Sequence, residues 1–364
     1  MRPLYIDPDI RQAETLPASF YRDETMFKDA REAIFTRWWQ YASDVPGAAS
    51  TDNVLPFTLL PGFLDEPLLL TKSNDDDWRA LSNVCTHRGT ILVQEPGRYR
   101  QIACPYHGRC FRLDGAFKSM PAFKEALGFP RPEDHLPTLP LEEWLGLFFV
   151  ALDPAVPFAD VIAPIREYVD FLPLDTLDYD PRQSRDFVVN SHWALYCDNY
   201  LEGLHIPFVH PALNEAIDFS AYEYHQFPYC NLQVGIADPG QPAFGLPEGH
   251  PDAGRAIYAY YFWVYPNLMF NFYPWGLSLN IVEPTGIDTC LVRFRTYTFK
   301  GTGFDRSVNA IDETELEDET VVEQVQLGVQ SRLYRTGRFS PKMEPNVHHF
   351  HRLLASDINA YRDV

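Results

Sequence analysis

Cys85-Thr86-His87-Arg88-Gly89 and Cys104-Pro105-Tyr106-His107-Gly108 decide how this chain is read. Each short loop supplies one thiol, one imidazole and one glycine, and residues 88–103 separate His87 from Cys104. Thiolates are soft donors suited to ferric iron. Imidazoles carry no negative charge, so two of them on a second iron raise its reduction potential. Two Cys-His loops therefore suit a cluster whose two irons differ. The glycines permit tight turns that bring backbone N–H groups toward sulfur. A structural Cys2His2 zinc site is the alternative, but its usual spacing is C-x2-4-C with H-x3-5-H. Cys110 lies near these loops and is read as a spare thiol, not a ligand.

The surrounding residues form short apolar runs punctuated by Pro, Gly, Asn and Asp: Val54–Leu60, Leu68–Thr71, Ala80–Val84, Ile102–Cys104 and Leu145–Leu152. This pattern predicts a small all-β domain over 41–155. With this domain the paired loops resemble the Rieske [2Fe-2S] proteins, whose C-x-H…C-x2-H signature is present whole. That resemblance implies Cys85, His87, Cys104 and His107 as cluster ligands. Arg109 departs from it, because many oxygenase members carry Trp there; the change bears on docking or potential and leaves the ligands intact.

Before this domain, Phe20, Met26, Phe27, Ala30, Ile34 and Trp38 recur mostly at helical spacing, so 1–40 reads as an N-terminal helical segment packed on the catalytic domain. Pro154, Pro157 and Pro164 mark a linker. Residues 156–364 form the other domain. Trp193–Leu204 reads as helix, Ile257–Tyr265, Leu268–Phe272, Leu277–Glu283 and Thr289–Phe299 as strands, and about 312–336 as a long helix. Strands followed by a helix, without βαβ alternation, predict α+β with an antiparallel sheet.

A second constellation runs from His192 to Pro211 and contains Asp198, Glu202, His205 and His210. In a continuous helix Asp198, Glu202 and His205 fall at i, i+4 and i+7, on one face. Pro207 ends the helix, and a following turn can bring His205 and His210 to one metal. Satisfied core histidines are the plainer alternative. A hydrolytic H-E-x-x-H zinc site does not fit the spacing. Two His instead suit a 2-His-1-carboxylate triad, which leaves open positions on Fe(II) for O2 and substrate. For the carboxylate, Asp318 lies 4, 7 and 11 residues before Val322, Val325 and Val329, the apolar stripe of the late helix. Asp318 is taken as third ligand and Glu315 as runner-up; Asp312, Glu317 and Glu319 fit that side less well. A solvated acidic first turn is the alternative reading of the group.

Together the two centres resemble the catalytic α subunits of Rieske non-heme iron oxygenases over nearly the whole chain. The resemblance implies a helix-grip catalytic domain, a Rieske cluster and a mononuclear Fe(II) held by His205, His210 and Asp318. It matches Asp198 to the family's bridging acid, hydrogen-bonded to His205 and toward the partner subunit's His107, with Glu202 supporting the same network. It implies a homotrimer, O2 as co-substrate, and electrons from a separate NAD(P)H-dependent reductase with or without a ferredoxin, since no G-x-G-x-x-G is present here. The tail Gln326-Leu327-Gly328…Ser331…Tyr334…Gly337-Arg338 looks like the choline and quaternary-ammonium branch. Hydroxylation or oxidative N-dealkylation of a small substrate such as choline, carnitine or a betaine is the expectation. An aromatic ring-hydroxylating dioxygenase, and a Rieske electron-transfer protein without oxygenase activity, are the alternatives.

Composition narrows the field further. A chain of 364 residues suits about two domains. A net charge of -20 repels phosphate backbones and argues against nucleic acid while suiting a basic protein partner. No apolar leader or run of 18 apolar residues is seen, and the scattered cysteines suit a reducing compartment, so a cytoplasmic protein without membrane contact is expected. The stretch from Tyr260 to Trp275 is rich in aromatics that can hold a cation, although alternating aromatics in a strand usually build core. Adjacent histidines point apart in a strand or a helix, so the cluster His348, His349 and His351 is read as structural or surface.

Overall fold

The computed structural model describes residues 3–44, 50–73, 77–210, 221–301 and 308–363, with side chains described from 316 in the last segment. The chain divides into two compact units, 36–155 and 1–35 with 156–364. The first boundary falls at 35/36, not 40/41, because Gln40–Asp44 is a strand of the β unit.

The β unit holds β1 (Gln40–Asp44), β2 (Val54–Leu59), β3 (Glu66–Lys72), β4 (Trp78–Ser82), β5 (Ile102–Ala103), β6 (Cys110–Phe111), β7 (Phe117–Ser119), β8 (Thr138–Leu139), β9 (Leu141–Trp144) and β10 (Leu147–Val150). These form three antiparallel sheets, in the orders β1-β10-β9, β2-β3-β4-β8 and β5-β6-β7. Val54, Leu69, Leu81, Ile102, Phe111 and Leu136 make a shared core that includes Cys85 and Cys104. One Cys-His loop follows β4, and the other is the tip of the β5–β6 hairpin.

The larger unit is built on an antiparallel sheet of β11 (Leu177–Tyr179), β12 (Arg185–Val189), β13 (Glu223–Phe227), β14 (Cys230–Ile236), β15 (Ile257–Val264), β16 (Leu268–Tyr273), β17 (Gly276–Gly286) and β18 (Thr289–Phe299). Its order is β11-β18-β17-β16-β15-β14-β13, with β12 also on β18. Strands β14 to β16 are buried nearly throughout rather than on alternate residues, because helices cover both faces. Among the described residues the α-helices are α1 (Glu24–Ala30), α2 (Phe158–Val169), α3 (Trp193–Tyr200), α4 (Ile206–Val209), α5 (Val308–Val329) and α6 (Pro345–Arg362). On one face Tyr168 of α2 meets Tyr260 and Phe262. On the other, Phe350 of α6 packs with both Trp193 of α3 and Trp263.

Three expectations change here. The proline-marked linker is largely helix α2, whose Phe158, Val161, Ile162, Ile165 and Val169 are buried at helical spacing despite Pro164. That buried face outweighs the hydrogen bond lost at proline. The helix expected over Trp193–Leu204 stops at Tyr200, and the late helix ends at Val329. Among the described residues, no helix is long and apolar enough to cross a membrane.

Candidate metal centres

The two Cys-His loops share one backbone pattern. Gly89 N–H donates to Cys85 C=O at 2.9 Å, and Gly108 N–H to Cys104 C=O at 3.1 Å. Each loop then closes one residue later, Cys85 N–H to Thr90 C=O at 2.9 Å and Cys104 N–H to Arg109 C=O at 2.7 Å. Gly89 and Gly108 sit at φ +70° and +71°, the left-handed region in which a side chain is strained. The turns bring the two thiols into hydrogen-bonding contact and the rings of His87 and His107 to 4.8 Å between centroids.

Burial pushes the Cys85 thiol up. Burial acts the same way on Cys104, but backbone N–H groups of His107 and Tyr106 aim at its sulfur and bring the thiol below its usual value. Nδ1 of His87 is buried with no hydrogen-bond partner. An orphaned imidazole nitrogen beside two thiols in contact is a donor set awaiting a metal group.

The second centre forms where α3, α4 and α5 meet. Ligand atoms of His205, His210 and Asp318 all lie within 4.8 Å of one another. Asp318 Oδ1 is 2.9 Å from His210 Nε2 and 3.6 Å from His205 Nε2. Each ring has a second carboxylate behind it: Glu202 Oε1 is 2.7 Å from His205 Nδ1, and Glu317 Oε2 is 2.8 Å from His210 Nδ1. A carboxylate at Nδ1 favours the proton there and frees Nε2 to face the metal position. Burial works against protonating His210, but Asp318 and Glu317 outweigh it and raise its pKa. Asn199 Nδ2 donates to Asp318 Oδ1 at 2.6 Å, fixing the third donor.

The early end of α3 redistributes the acids. Asp198, Glu202 and His205 do not share a helical face. Glu202 turns back to accept the backbone N–H of Leu204 and of His205, the latter at 3.3 Å, as well as holding the His205 ring. Asp198 instead receives Tyr21 Oη–H at Oδ2, 3.0 Å, and pairs with His351 Nε2 at Oδ1, 2.9 Å. Leu16 N–H donates to His351 Nδ1, so the ring proton sits on Nε2. The expected Asp198–His205 hydrogen bond is thus replaced by Glu202–His205.

The histidine cluster is structural rather than surface. His348 Nε2 lies 2.7 Å from Asp7 C=O, His349 Nδ1 lies 2.7 Å from Asn231 Oδ1, and His351 is buried on Asp198. The stripe on α5 is Val322, Gln326 and Val329, while Val325 is exposed. The side chains of Asp312 and Glu315 lie outside the described residues. Glu317 and Asn199 were missed by the sequence reading. Each neighbours a residue singled out, but helical spacing alone turns it about 100° away, and only a long or branched side chain reaches back.

Tyrosines border this centre. A Cβ on Gly203 would meet Tyr222 Cε1 at 3.2 Å and Tyr224 Oη at 3.3 Å. Tyr222 stacks with Tyr261 at 6.5 Å, and Tyr273 lies 5.9 Å from Tyr261 and 4.9 Å from Trp275. Burial raises the pKa of Tyr222 and Tyr261 well above 10, so both stay phenols. The aromatic stretch therefore divides: Tyr261 and Tyr273 join this group, while Tyr260 and Phe262 pack on Tyr168.

Residues 57–140 match the Rieske [2Fe-2S] domain, and residues 174–360 match the ring hydroxylating alpha subunit (catalytic domain). Choline monooxygenase of Beta vulgaris is 28% identical over 360 residues, covering 95% of this chain and 78% of that one. The carnitine monooxygenase oxygenase subunit of Escherichia coli (strain K12) is 29% identical over 366 residues, covering 95% and 94%. Among solved structures, a quaternary ammonium Rieske monooxygenase overlays with a TM-score of 0.78 at 23% identity, covering 97% of this chain and 99% of that one. Naphthalene 1,2-dioxygenase overlays at 0.71 and 18% identity, covering 95% and 92%, a likeness of fold.

Proposed function

Because this chain belongs to the Rieske-type ring-hydroxylating oxygenase alpha-subunit family, we propose that it oxidises a small quaternary ammonium compound such as choline, carnitine or a betaine. Members of this family are oxygenases, oxidoreductases that incorporate oxygen from O2, and the two matched domains imply a Rieske cluster and a mononuclear iron. The chain is the terminal component of a system that includes a separate NAD(P)H-dependent reductase, with or without a ferredoxin, and it works as a homotrimer. The relative with TM-score 0.78 is described in terms of inter-subunit electron transfer, which favours such an assembly.

The observation that carries this reading is the convergence of His205, His210 and Asp318 on one point. When bound, the cluster supplies single electrons and the iron supplies O2 activation beside the substrate. Cys85, Cys104, His87 and His107 would hold the first, and His205, His210 and Asp318 the second. Glu202 and Glu317 orient the imidazoles, and Asn199 orients Asp318. Glu202, not Asp198, takes the linking role at His205, since its carboxylate is the one on that ring. The ring faces of Tyr222, Tyr261 and Tyr273 suit a cation without hydrogen-bond donors, which a ring quadrupole attracts.

Two measurements test this reading. A loaded oxygenase holds about three irons and about two acid-labile sulfides per chain; about two and two indicates an electron-transfer Rieske protein, and none a ligand carrier. O2 uptake coupled to product should be stimulated by choline, carnitine or betaines. Stimulation by simple aromatics alone would replace the quaternary ammonium reading with a ring dioxygenase.

A further inference from the structure

Arg109 follows the second cluster loop and is an unusual residue to bury. Its side chain is 2% exposed. It lies 5.1 Å from the ring centroid of Phe117, 5.4 Å from that of Phe129 and 5.7 Å from that of Phe111. A buried guanidinium is costly unless paired, and the pairing comes from Asp134. Nη2 donates to Asp134 Oδ1 at 2.6 Å and to Asp134 C=O at 3.0 Å. That same carbonyl accepts Thr86 Oγ1–H at 3.0 Å, from the residue between Cys85 and His87. Asp134 is itself anchored by Arg131 N–H on Oδ2 at 2.9 Å. One residue outside both loops thus ties the first, through Thr86, to the second, through Arg109.

Resting on the cluster reading above, we propose that Arg109 and Asp134 form a positioning clasp that clamps the two cluster loops together and sets the reduction potential through the buried Arg109 charge. The sign follows from electrostatics. Reduction adds a negative charge, and a fixed cation in a poorly screened site favours it. Arg109 lies two residues after His107, and its C=O accepts Cys104 N–H at 2.7 Å, so the charged residue is part of the closure of the second ligand loop.

The test uses the cluster-loaded full-length protein in redox titrations followed by visible absorption and EPR. Arg109→Met keeps an apolar stem among the three rings and removes the charge. Asp134→Asn keeps the carbonyl acceptor and removes the opposing charge. The expected result is a lower potential for Arg109→Met and a higher one for Asp134→Asn, each about tenfold in electron affinity, or about 59 mV for one electron. A loop merely loosened would move both variants in the same direction, and that outcome, like unchanged potentials in both, overturns the inference. Should Arg109→Met not fold, Asp134→Asn alone decides: a raised potential supports the inference, and an unchanged or lowered one overturns it. Wild-type protein without acid-labile sulfide would instead overturn the cluster reading itself.

Discussion

The two centres solve the same problem, gathering imidazoles and anionic donors, by different routes. In the β unit each loop carries a Cys, a His and a left-handed Gly within five consecutive residues, and the two loops repeat one hydrogen-bond pattern. In the larger unit the donors come from α4 and its preceding turn and from α5, more than a hundred positions apart, as the pairing of His210 with Asp318 shows. The first centre is written locally and is rigid through backbone geometry. The second depends on tertiary packing, and its rings are aimed by carboxylates, Glu202 and Glu317, rather than by their own turns. The local centre should therefore tolerate changes in helix packing that the assembled one does not.

The strongest separation is expected from deleting a donor. Asp318→Ala should abolish turnover and lower iron from about three to about two per chain while acid-labile sulfide stays at about two. Cys104→Ala should do the reverse, losing sulfide and sparing the mononuclear iron. Parallel iron and sulfide assays would show whether the centres are independent; joint loss in either variant would break the comparison.

Next come the carboxylates behind the rings. Glu202→Gln should weaken mononuclear iron binding by about 10–100-fold, the usual cost of removing such a partner. Glu317→Gln should fall at the low end of that range, because Glu317 is 41% exposed against 14% for Glu202. Iron competition titrations would rank the two; equal effects would mean that solvent screening does not distinguish them.

Asp198→Asn tests the revised placement. The variant loses one charged acceptor shared by Tyr21 and His351, so the larger unit should lose about 1–3 kcal/mol in denaturant unfolding. Iron stoichiometry should be unchanged. Nearly abolished turnover with both metals retained would return Asp198 to the bridging role.

A final effect concerns acid. Burial, with the charges of Arg352 and His348, lowers the pKa of His349 to about 4. Between that value and the unfolded value of about 6.5, the unfolded chain binds a proton that the folded one refuses. Stability is intact above the upper value and falls as pH drops toward the lower, by about 3 kcal/mol at most. His349→Gln should flatten this slope in pH-dependent unfolding; an unchanged slope would assign the acid sensitivity to other groups.

Much of this was legible beforehand. Apolar runs bounded by turn residues located nine of the eighteen described strands, and Thr289–Phe299 was read to the residue. The Cys-His loops could be read because all their determinants lie within a few consecutive positions. What failed was helix continuity. Periodicity places Asp198, Glu202 and His205 on one face, but it contains no signal that Gly203 N–H will be taken by Tyr224 Oη at 3.1 Å from another strand. That contact, with Glu202 capping the next turn, accompanies the early end of α3 and takes Glu202 and His205 off the face that carries Asp198 toward Tyr21 and His351.

By itself, then, the amino-acid order determined the unit with paired loops, the antiparallel sheet and the set of candidate donors, because periodicity, turn chemistry and ligand type are local properties. Only tertiary structure decided which acid serves which imidazole, and that Arg109 is buried on Asp134. Those pairings are settled where segments distant in sequence meet, and a carboxylate goes to whichever donor the packed helices leave within reach.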